Sequence, residues 1–480
     1  MSRLLHQSLD PQLDIIETLQ RFEGESHLLL LDSAAHIRER DARYTFLTAD
    51  PVDTVRIDSV QYGDQPFEQL RTWQRRLSAG EPSAPPFCGG IAGLMSYELG
   101  TAFERVPVPA CDEFRTPALL AGLYDWSIVW DHIRKTVDLY VSDVSTETGN
   151  SKTPSLVQKA RQEWVLSRLS RSPEGSGNSS GGRISAGAES CGTSVVTTSP
   201  LPIDPSVTSV FSRDEYLAAV RKVIEYIRAG DIFQANLSQR LKAAWAGSAV
   251  ELYGQIRRHN PAPFCGLFQA DDFAIISASP ERFLKVTDGR HVQTRPIKGT
   301  RRRQRSPIAD LYSGTELFTS EKDRAENVMI VDLLRNDLSR VCRPGSVRVT
   351  GLCEVEVFET VQHLVSTIVG ELRPECDLWD LCQAAIPGGS ITGAPKIRAM
   401  EIIAELEPVV RGGYCGSLFC LGPSLNFDSN LLIRTFTLKN GHVQFPVGGG
   451  IVADSDPADE YQETLHKAAS MLRSLRVTRE

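Results

Sequence analysis

Two matched pairs of acidic residues are the first feature of this chain that could do chemistry. Asp323 and Glu326 lie in SEKDRAENVMIVDLLRNDL, and Glu460 and Glu463 lie in DPADEYQETLHKAASML. At that spacing both carboxylates of a pair project from one face of a helix. If the two helices face each other, four carboxylates converge, which is costly without a hard cation such as Mg²⁺ to neutralise them. Taken alone, each pair also reads as a solvated helix face. Two glycine clusters, PGGSITGAPK from Pro387 to Lys396 and GGG from Gly448 to Gly450, could hold a carboxylate or phosphate through backbone N–H groups. In the first, Pro395 opens an apolar-periodic helix (Ile397, Met400, Ile403, Leu406) whose amino end points back at the glycines; a tight turn before a helix is the plain alternative. Gly388 and Gly393 have P-loop spacing, but Ala394 and Pro395 stand where that loop needs Lys and Ser or Thr, so a nucleotide reading is rejected.

Lys298 lies in RPIKGTRRR after the strand-like HVQT. A lysine there is ordinarily solvated, but in a partly desolvated pocket it can lose its proton and become a nucleophile. The adjoining Arg301, Arg302, Arg303 and Arg305 lack interleaved aromatics and read as an exposed loop, not a nucleic-acid patch. His363, in VQHLVSTIVGEL, is of a kind more often found as a satisfied core residue than as a catalyst.

The elements that must position these groups are mixed in order. Apolar stretches such as HLLLLDS (His27 to Ser33), GGIAGLMSYEL (Gly89 to Leu99), FAIISAS (Phe273 to Ser279), LLIRTFTL (Leu431 to Leu438) and HVQFPV (His442 to Val447) read as strands, and Ser127 to Asp143 reads as a hairpin. Ser212-Arg-Asp-Glu215 is a capping box, and Tyr216, Leu217, Val220, Val223, Ile224 and Ile227 follow at helical spacing to about Arg228. Asp456 caps a second helix, with Pro457 in its first turn and a stripe through Tyr461, Leu465, Ala468, Leu472 and Leu475. Strands and helices mixed in this way predict an α+β fold. Ser, Gly, Thr and Pro dominate from about 167 to 209, which predicts a flexible linker or surface insertion between an N-terminal domain (1–166) and a catalytic domain (210–478).

The chain has 480 residues, 41% of them apolar, enough for one large or two ordinary domains. Its 52 basic and 60 acidic side chains leave a net charge of −8, so nothing general favours a polyanion and nucleic-acid binding is not expected. Ten cysteines without a C-x-x-C pair suit free thiols in a reducing compartment. No apolar run reaches the roughly 18 residues needed to span a bilayer, and the first ten residues lack a signal pattern. A cytoplasmic protein without membrane association is expected.

In order along the chain, FQANLSQR (Phe233 to Arg240), SPERFL (Ser279 to Leu284), PIKGT (Pro296 to Thr300), AENVMIVDLLRNDLSRV (Ala325 to Val341), HLVSTI (His363 to Ile368), PGGSITGAPKIRAMEII, Tyr414 with Gly416, IRT (Ile433 to Thr435) and GGGIVADSDP resemble the chorismate-utilising enzymes. LLLLDSA and NPAPF (Asn260 to Phe264) are weaker landmarks of the same family. The resemblance implies a chorismate-binding fold, a β-sheet sandwich core with helices packed outside. Members that add water carry a lysine base where this chain has Gln234, and members that add ammonia carry glutamine. Anthranilate synthases have alanine in P-I-x-G-T, where this chain has Lys298. The resemblance is therefore to the branch that makes 4-amino-4-deoxychorismate, with anthranilate synthase component I as the runner-up.

What that resemblance implies is specific. Mg²⁺ would be held by Glu326 and Glu463, with Asp323 and Glu460 supporting through water. Lys298 would be the nucleophile, Glu281 the acid or base, and His363 a secondary candidate near the departing hydroxyl. Arg434, Tyr414 and the amides of Gly448 and Gly449 would hold a substrate carboxylate, with Gln234, Ser390, Thr392 and Lys467 lining the site. Ammonia must come from outside, because the only echo of a glutaminase turn, Cys420-Leu421-Gly422, falls inside the matched region. A separate glutamine amidotransferase subunit is the implied partner.

Overall fold

Apolar strands drawn from both ends of the chain pair into two large antiparallel sheets. The computed structural model describes residues 4–35, 43–77, 84–144, 155–171, 198–357 and 361–475. A 13-stranded sheet runs from Leu5–Ser8 at one edge, through Leu28–Asp32, Phe264–Gln269, Ala274–Ser279, His442–Ile451 and Gln234–Ala244, to Ser199–Leu201 at the other. A 10-stranded sheet runs from Ile297–Arg302 and Val361–Glu371, through Arg282–Thr287 and Ser417–Leu421, to Gly90–Met95 and Asp53–Ile57. Helices pack on these sheets, so the expected α+β architecture is the observed one.

The division of the chain is less clean than its composition suggests. Leu28–Asp32 pairs with Phe264–Gln269 in the first sheet, and Gly90–Met95 pairs with Ser417–Leu421 in the second. Strands from before residue 145 thus complete both sheets of the later part. The expected insertion is also narrower than 167–209. The helix Leu156–Leu169, closed by a Ser155/Gln158 capping box, runs past its start, and Ser199–Leu201 and Asp204–Ser209 are edge strands. Leu201 and Val207, both buried, anchor that edge, and two well-placed apolar side chains outweigh a Ser/Pro-rich setting. Residues 172–197 of that stretch lie outside the described residues.

Helix Arg213–Arg228 starts at Ser212 with the anticipated capping box and buries Tyr216, Leu217, Val220, Val223 and Ile224. It packs against the C-terminal helix Pro457–Leu475, where the Tyr216 and Tyr461 rings lie 5.8 Å apart. Burial of each such side chain contributes about 1.5–3 kcal/mol, which fixes the C-terminal helix and the acids it carries. Asp456 caps that helix by accepting from the N–H groups of Ala458 (2.8 Å) and Asp459 (3.1 Å). Among the described residues no helix is long and apolar enough to cross a membrane, and the nine cysteines are free thiols.

Candidate active site

The two sheets meet where the predicted chemistry lies. The second sheet supplies Lys298 and Thr300 on strand Ile297–Arg302 and His363 on Val361–Glu371, where Thr300 stands opposite His363. The first sheet supplies Gln234 on Gln234–Ala244 and the glycines on His442–Ile451, in register Gly450 to Asn236 and Gly448 to Ser238. Helix Glu321–Ser339 brings Asp323 and Glu326, and helix Pro457–Leu475 brings Glu460 and Glu463.

Glycine is what lets these parts approach. A methyl group on Gly450 would collide with the Gln234 amide nitrogen and stand 3.4 Å from Lys298 Nζ. On Gly449 it would stand 3.1 Å from Glu460 Oε2 and 3.5 Å from Glu463 Oε1. The GGG run is therefore part of a strand, near the end of His442–Ile451. Its pairing with the neighbouring Thr435–Lys439 strand stops at Gln444, which leaves one backbone edge of the glycines unpaired on that side. Lys467 Nζ donates to the Gly448 carbonyl at 2.7 Å and pairs with Glu463 at 2.7 Å.

Several polar groups here lack partners among the described residues. Gln234 is fully buried, and neither its amide oxygen nor its nitrogen has a hydrogen bond among the described residues. Lys298 Nζ and the Arg434 guanidinium likewise make no hydrogen bond or ion pair among them. Loss of water lowers the affinity of Lys298 for its proton, against the opposing pull of Glu326 and Glu281. Arg434, held at a positive φ of 52°, is also pulled downward by desolvation, although a guanidinium stays charged. Leaving such groups orphaned costs about 1–3 kcal/mol each, more when charged, so the arrangement suits a site that a polar, anionic ligand completes.

Glu281 is buried and accepts from Ser390 Oγ at 2.7 Å. Burial pushes its carboxyl up to about 7, with Ser390 and Lys298 pulling the other way. It can therefore exchange a proton near neutrality. Thr392 is buried, but its hydroxyl donates to the carbonyls of Gly388 (3.0 Å) and Gly389 (3.3 Å), which ties down the motif. In that motif Lys396 is taken up by Asp337 (2.7 Å) and the Ala385 carbonyl (3.0 Å), in keeping with the rejected nucleotide reading. Tyr414 is buried beside Arg411, whose guanidinium lies 5.8 Å from its ring.

His363 sits in a different state from the rest. Its Nδ1 lies 2.9 Å from Thr300 Oγ1, and burial, reinforced by Arg434, brings its pKa down to about 3. A histidine so placed is neutral at physiological pH and has no cationic proton to give a departing hydroxyl. Thr300 as its partner was not anticipated, although it lies within the quoted PIKGT.

The two acid pairs approach from two helices, Glu460 and Glu463 beside Gly449 and Asp323 beside Gly299, and each acid has its own protein partner or influence. Arg301 Nη2 holds Asp323 at 3.2 Å and Ser455 Oγ donates to Glu460 at 2.6 Å. Burial raises the Glu326 and Glu460 pKa values, and a neighbouring acid pushes each further up: Asp323 and Glu460 for Glu326, Glu463 for Glu460. For Glu463 desolvation works upward too, but Lys467 outweighs it and the net shift is down. Among the described residues no three acidic, histidine or cysteine side chains are drawn together as a ligand set. The donor chemistry nevertheless fits a hard divalent cation, and the mutual strain of Glu326, Glu460 and Asp323 is what such an ion relieves. Ser455 and Arg301 carried no signal in the sequence that would have marked them as partners of these acids.

The model of the chorismate binding enzyme family matches residues 27–473. The chain belongs to the chorismate-binding enzymes. It is 40% identical to aminodeoxychorismate synthase component 1 of Salmonella typhimurium, over 90% of each chain. It is 36% identical to anthranilate synthase component 1 of Streptomyces coelicolor, over 98% of this chain and 88% of that one. Among solved structures, anthranilate synthase component I from Streptococcus pneumoniae superposes with a TM-score of 0.73 at 32% identity, covering 90% of this chain and 92% of that one.

Proposed function

We propose that this chain is component 1 of an aminodeoxychorismate synthase, converting chorismate and ammonia to 4-amino-4-deoxychorismate for 4-aminobenzoate and folate synthesis. The observation that carries the reading is Lys298. It occupies the variable position of P-I-x-G-T, desolvated and without a protein partner, under the influence of Glu281 and within 3.4 Å of where a side chain on Gly450 would begin. Its Nζ attacks ring carbon 2, the double bonds shift, and the carbon 4 hydroxyl leaves as water with the proton of Glu281. Ammonia then adds at carbon 4, the bonds shift back, Nζ departs from carbon 2, and Glu281 takes the proton that the new ammonium sheds. Two successive displacements leave the configuration at carbon 4 retained. Arg434 and Tyr414 hold the enolpyruvyl carboxylate, and the neutral His363 lines the wall. Mg²⁺ would be held by Glu326 and Glu463, with Asp323 and Glu460 behind them, and when bound supplies charge neutralisation for the ring carboxylate.

Ammonia is delivered in this reading by a separate glutamine amidotransferase subunit. Cys420 supports that: it lies buried in strand Ser417–Leu421, and burial pushes its thiol far up, the opposite of an activated nucleophile. Free cysteines and the lack of a spanning helix among the described residues support a cytoplasmic setting.

The likeness to anthranilate synthase component 1 of Streptomyces coelicolor favours a second reading, in which pyruvate is eliminated and the product is aromatic. Incubating the chain with chorismate, Mg²⁺ and ammonium chloride separates the two. The first reading expects a product of chorismate plus ammonia minus water with no pyruvate. Anthranilate with one equivalent of pyruvate overturns it. Glutamine should replace ammonium only after a glutaminase subunit is added.

A further inference from the structure

Behind the wall of the substrate pocket the fold keeps a second, mostly apolar hollow with a few polar groups at its lining. It lies between the short 3₁₀ helix Tyr97–Ala102 with the following loop, and the helix Lys396–Leu406 with Glu407 and Arg411. Its volume of about 20 Å³ admits one water-sized molecule. Arg411 joins it to the pocket wall, donating to the Ile391 carbonyl at 2.9 Å and the Asn236 carbonyl at 2.6 Å. Asn236 in turn donates its N–H to the Thr392 carbonyl at 2.7 Å, so a single layer of chain separates the hollow from the pocket.

Three features of the hollow ask for a small cation with hydrogen-bond donors. The Tyr97 hydroxyl is buried with no partner among the described residues. Glu98 accepts from the N–H groups of Arg411 (2.8 Å) and Gly412 (2.9 Å) but makes no ion pair among the described residues. Glu407 and Arg411 cancel each other, bonded at 2.6 and 2.8 Å, so the charge of Glu98 is left over. The rest of the lining, Val106, Pro107, Met400 and Ile403 among it, is apolar and excludes larger polar ligands.

We propose that this hollow is an ammonium site, in which Glu98 and Tyr97 hold the nitrogen before it reaches the ring. The inference rests on the amination reading and names where its nitrogen waits. Glu98 takes one proton from NH₄⁺, leaving neutral NH₃ and a protonated carboxyl, and returns that proton to solvent past the exposed Val108. Desolvation pushes the Glu98 carboxyl up to about 7, which suits a group that accepts and releases a proton near neutrality.

The test uses the full chain with chorismate and ammonium chloride. Glu98→Gln should lower kcat/KM for ammonium about tenfold, chiefly through a higher ammonium KM, with the KM for chorismate little changed, and Tyr97→Phe should lower it about threefold. Independently, ammonium chloride should raise the melting temperature of the wild type above that in potassium chloride of equal ionic strength, and both variants should lose the difference. Unchanged ammonium KM in both variants overturns the proposal. Equal stabilisation by potassium also overturns it, because the hollow is then a general monovalent-cation site. If Glu98→Gln fails to fold, Tyr97→Phe decides, since it removes only an oxygen without a protein partner. If the wild type aminates nothing, the amination reading falls, and the melting experiment judges the hollow alone.

Discussion

Two buried polar clusters lie back to back in this molecule, and they are built on opposite plans. Around Arg411 the donors are taken up: two bonds go to Glu407 and one each to the Ile391 and Asn236 carbonyls, while Glu407 also accepts from Ser238 N (2.8 Å) and Oγ (2.9 Å). Around Lys298 the pattern inverts: the Gln234 amide has no hydrogen bond among the described residues, and desolvation acts on Lys298 and Arg434, which make no side-chain bond or ion pair among them. A satisfied buried network fixes a structure, whereas an unsatisfied one stores a cost that a ligand removes. The difference assigns the Arg411–Glu407 pair to architecture and the Lys298 cluster to chemistry. It predicts that mutations in the two will fail in different ways.

The largest expected effect is on rate. Lys298→Met keeps length and removes the nucleophile, so amination should fall about ten-thousandfold, roughly 5 kcal/mol of barrier, while unfolding free energy changes by less than about 1 kcal/mol. A short incubation of wild-type chain with chorismate and no ammonia should add the mass of chorismate minus water to the peptide containing Lys298. Normal turnover by the methionine variant would make Lys298 a bystander and favour the anthranilate reading. Arg411→Met should do the reverse in denaturant titrations. It leaves Glu407 buried and unpaired, which costs about 3–5 kcal/mol of stability. A smaller effect is expected at the acids. Glu326→Gln keeps the side-chain size but removes a negative oxygen donor, so calorimetry should show weaker Mg²⁺ binding and the rate should fall about a hundredfold. Full activity of that variant after chelation would exclude the metal.

Much of this division was legible in the sequence, and the illegible part has one cause. Helix caps at Ser212 and Asp456 are local, and both appear where the pattern places them. The spacing of Glu460 and Glu463 told which face they share but not that Glu326 lies opposite, because that depends on how two distant helices pack. The GGG run shows the same limit. Three glycines in a row read as backbone N–H groups free for an anion, and only the pairing with Gln234–Ala244 reveals a strand whose missing side chains make room for Gln234, Lys298 and two acids. Arg411 lies outside every motif singled out, since a satisfied core arginine leaves no trace in spacing. The charge state of His363 was equally out of reach, being set by burial and by Arg434 across a sheet.

The smallest predicted effect concerns Glu281, which belongs to the chemical cluster yet has a partner in Ser390. Its carboxyl is raised from the usual value near 4.5 to about 7 in the folded chain. The folded state therefore holds its proton more tightly than the unfolded state does. The stability this group contributes is fully present below about pH 4.5 and is lost as pH rises through 7, a change of about 3 kcal/mol. Glu98 titrates over the same window and is untouched by Glu281→Gln, so the difference between wild type and variant isolates Glu281. Urea titrations at pH 5 and pH 8 should show that difference shift by about 2.5 kcal/mol, the wild type losing ground to the variant at the higher pH. The rate carries the same signature, because a protonated Glu281 must release the hydroxyl: kcat/KM should decline above about pH 7, and the glutamine variant should be slow with no such limb. Lys298 supplies the cross-check. Its charge holds the Glu281 pKa down, so the Lys298→Met background should move the stability transition to higher pH. A difference between wild type and Glu281→Gln that stays constant from pH 5 to pH 8 would mean that Glu281 does not titrate in this range, and the proton in the hydroxyl-releasing step would have to come from another group.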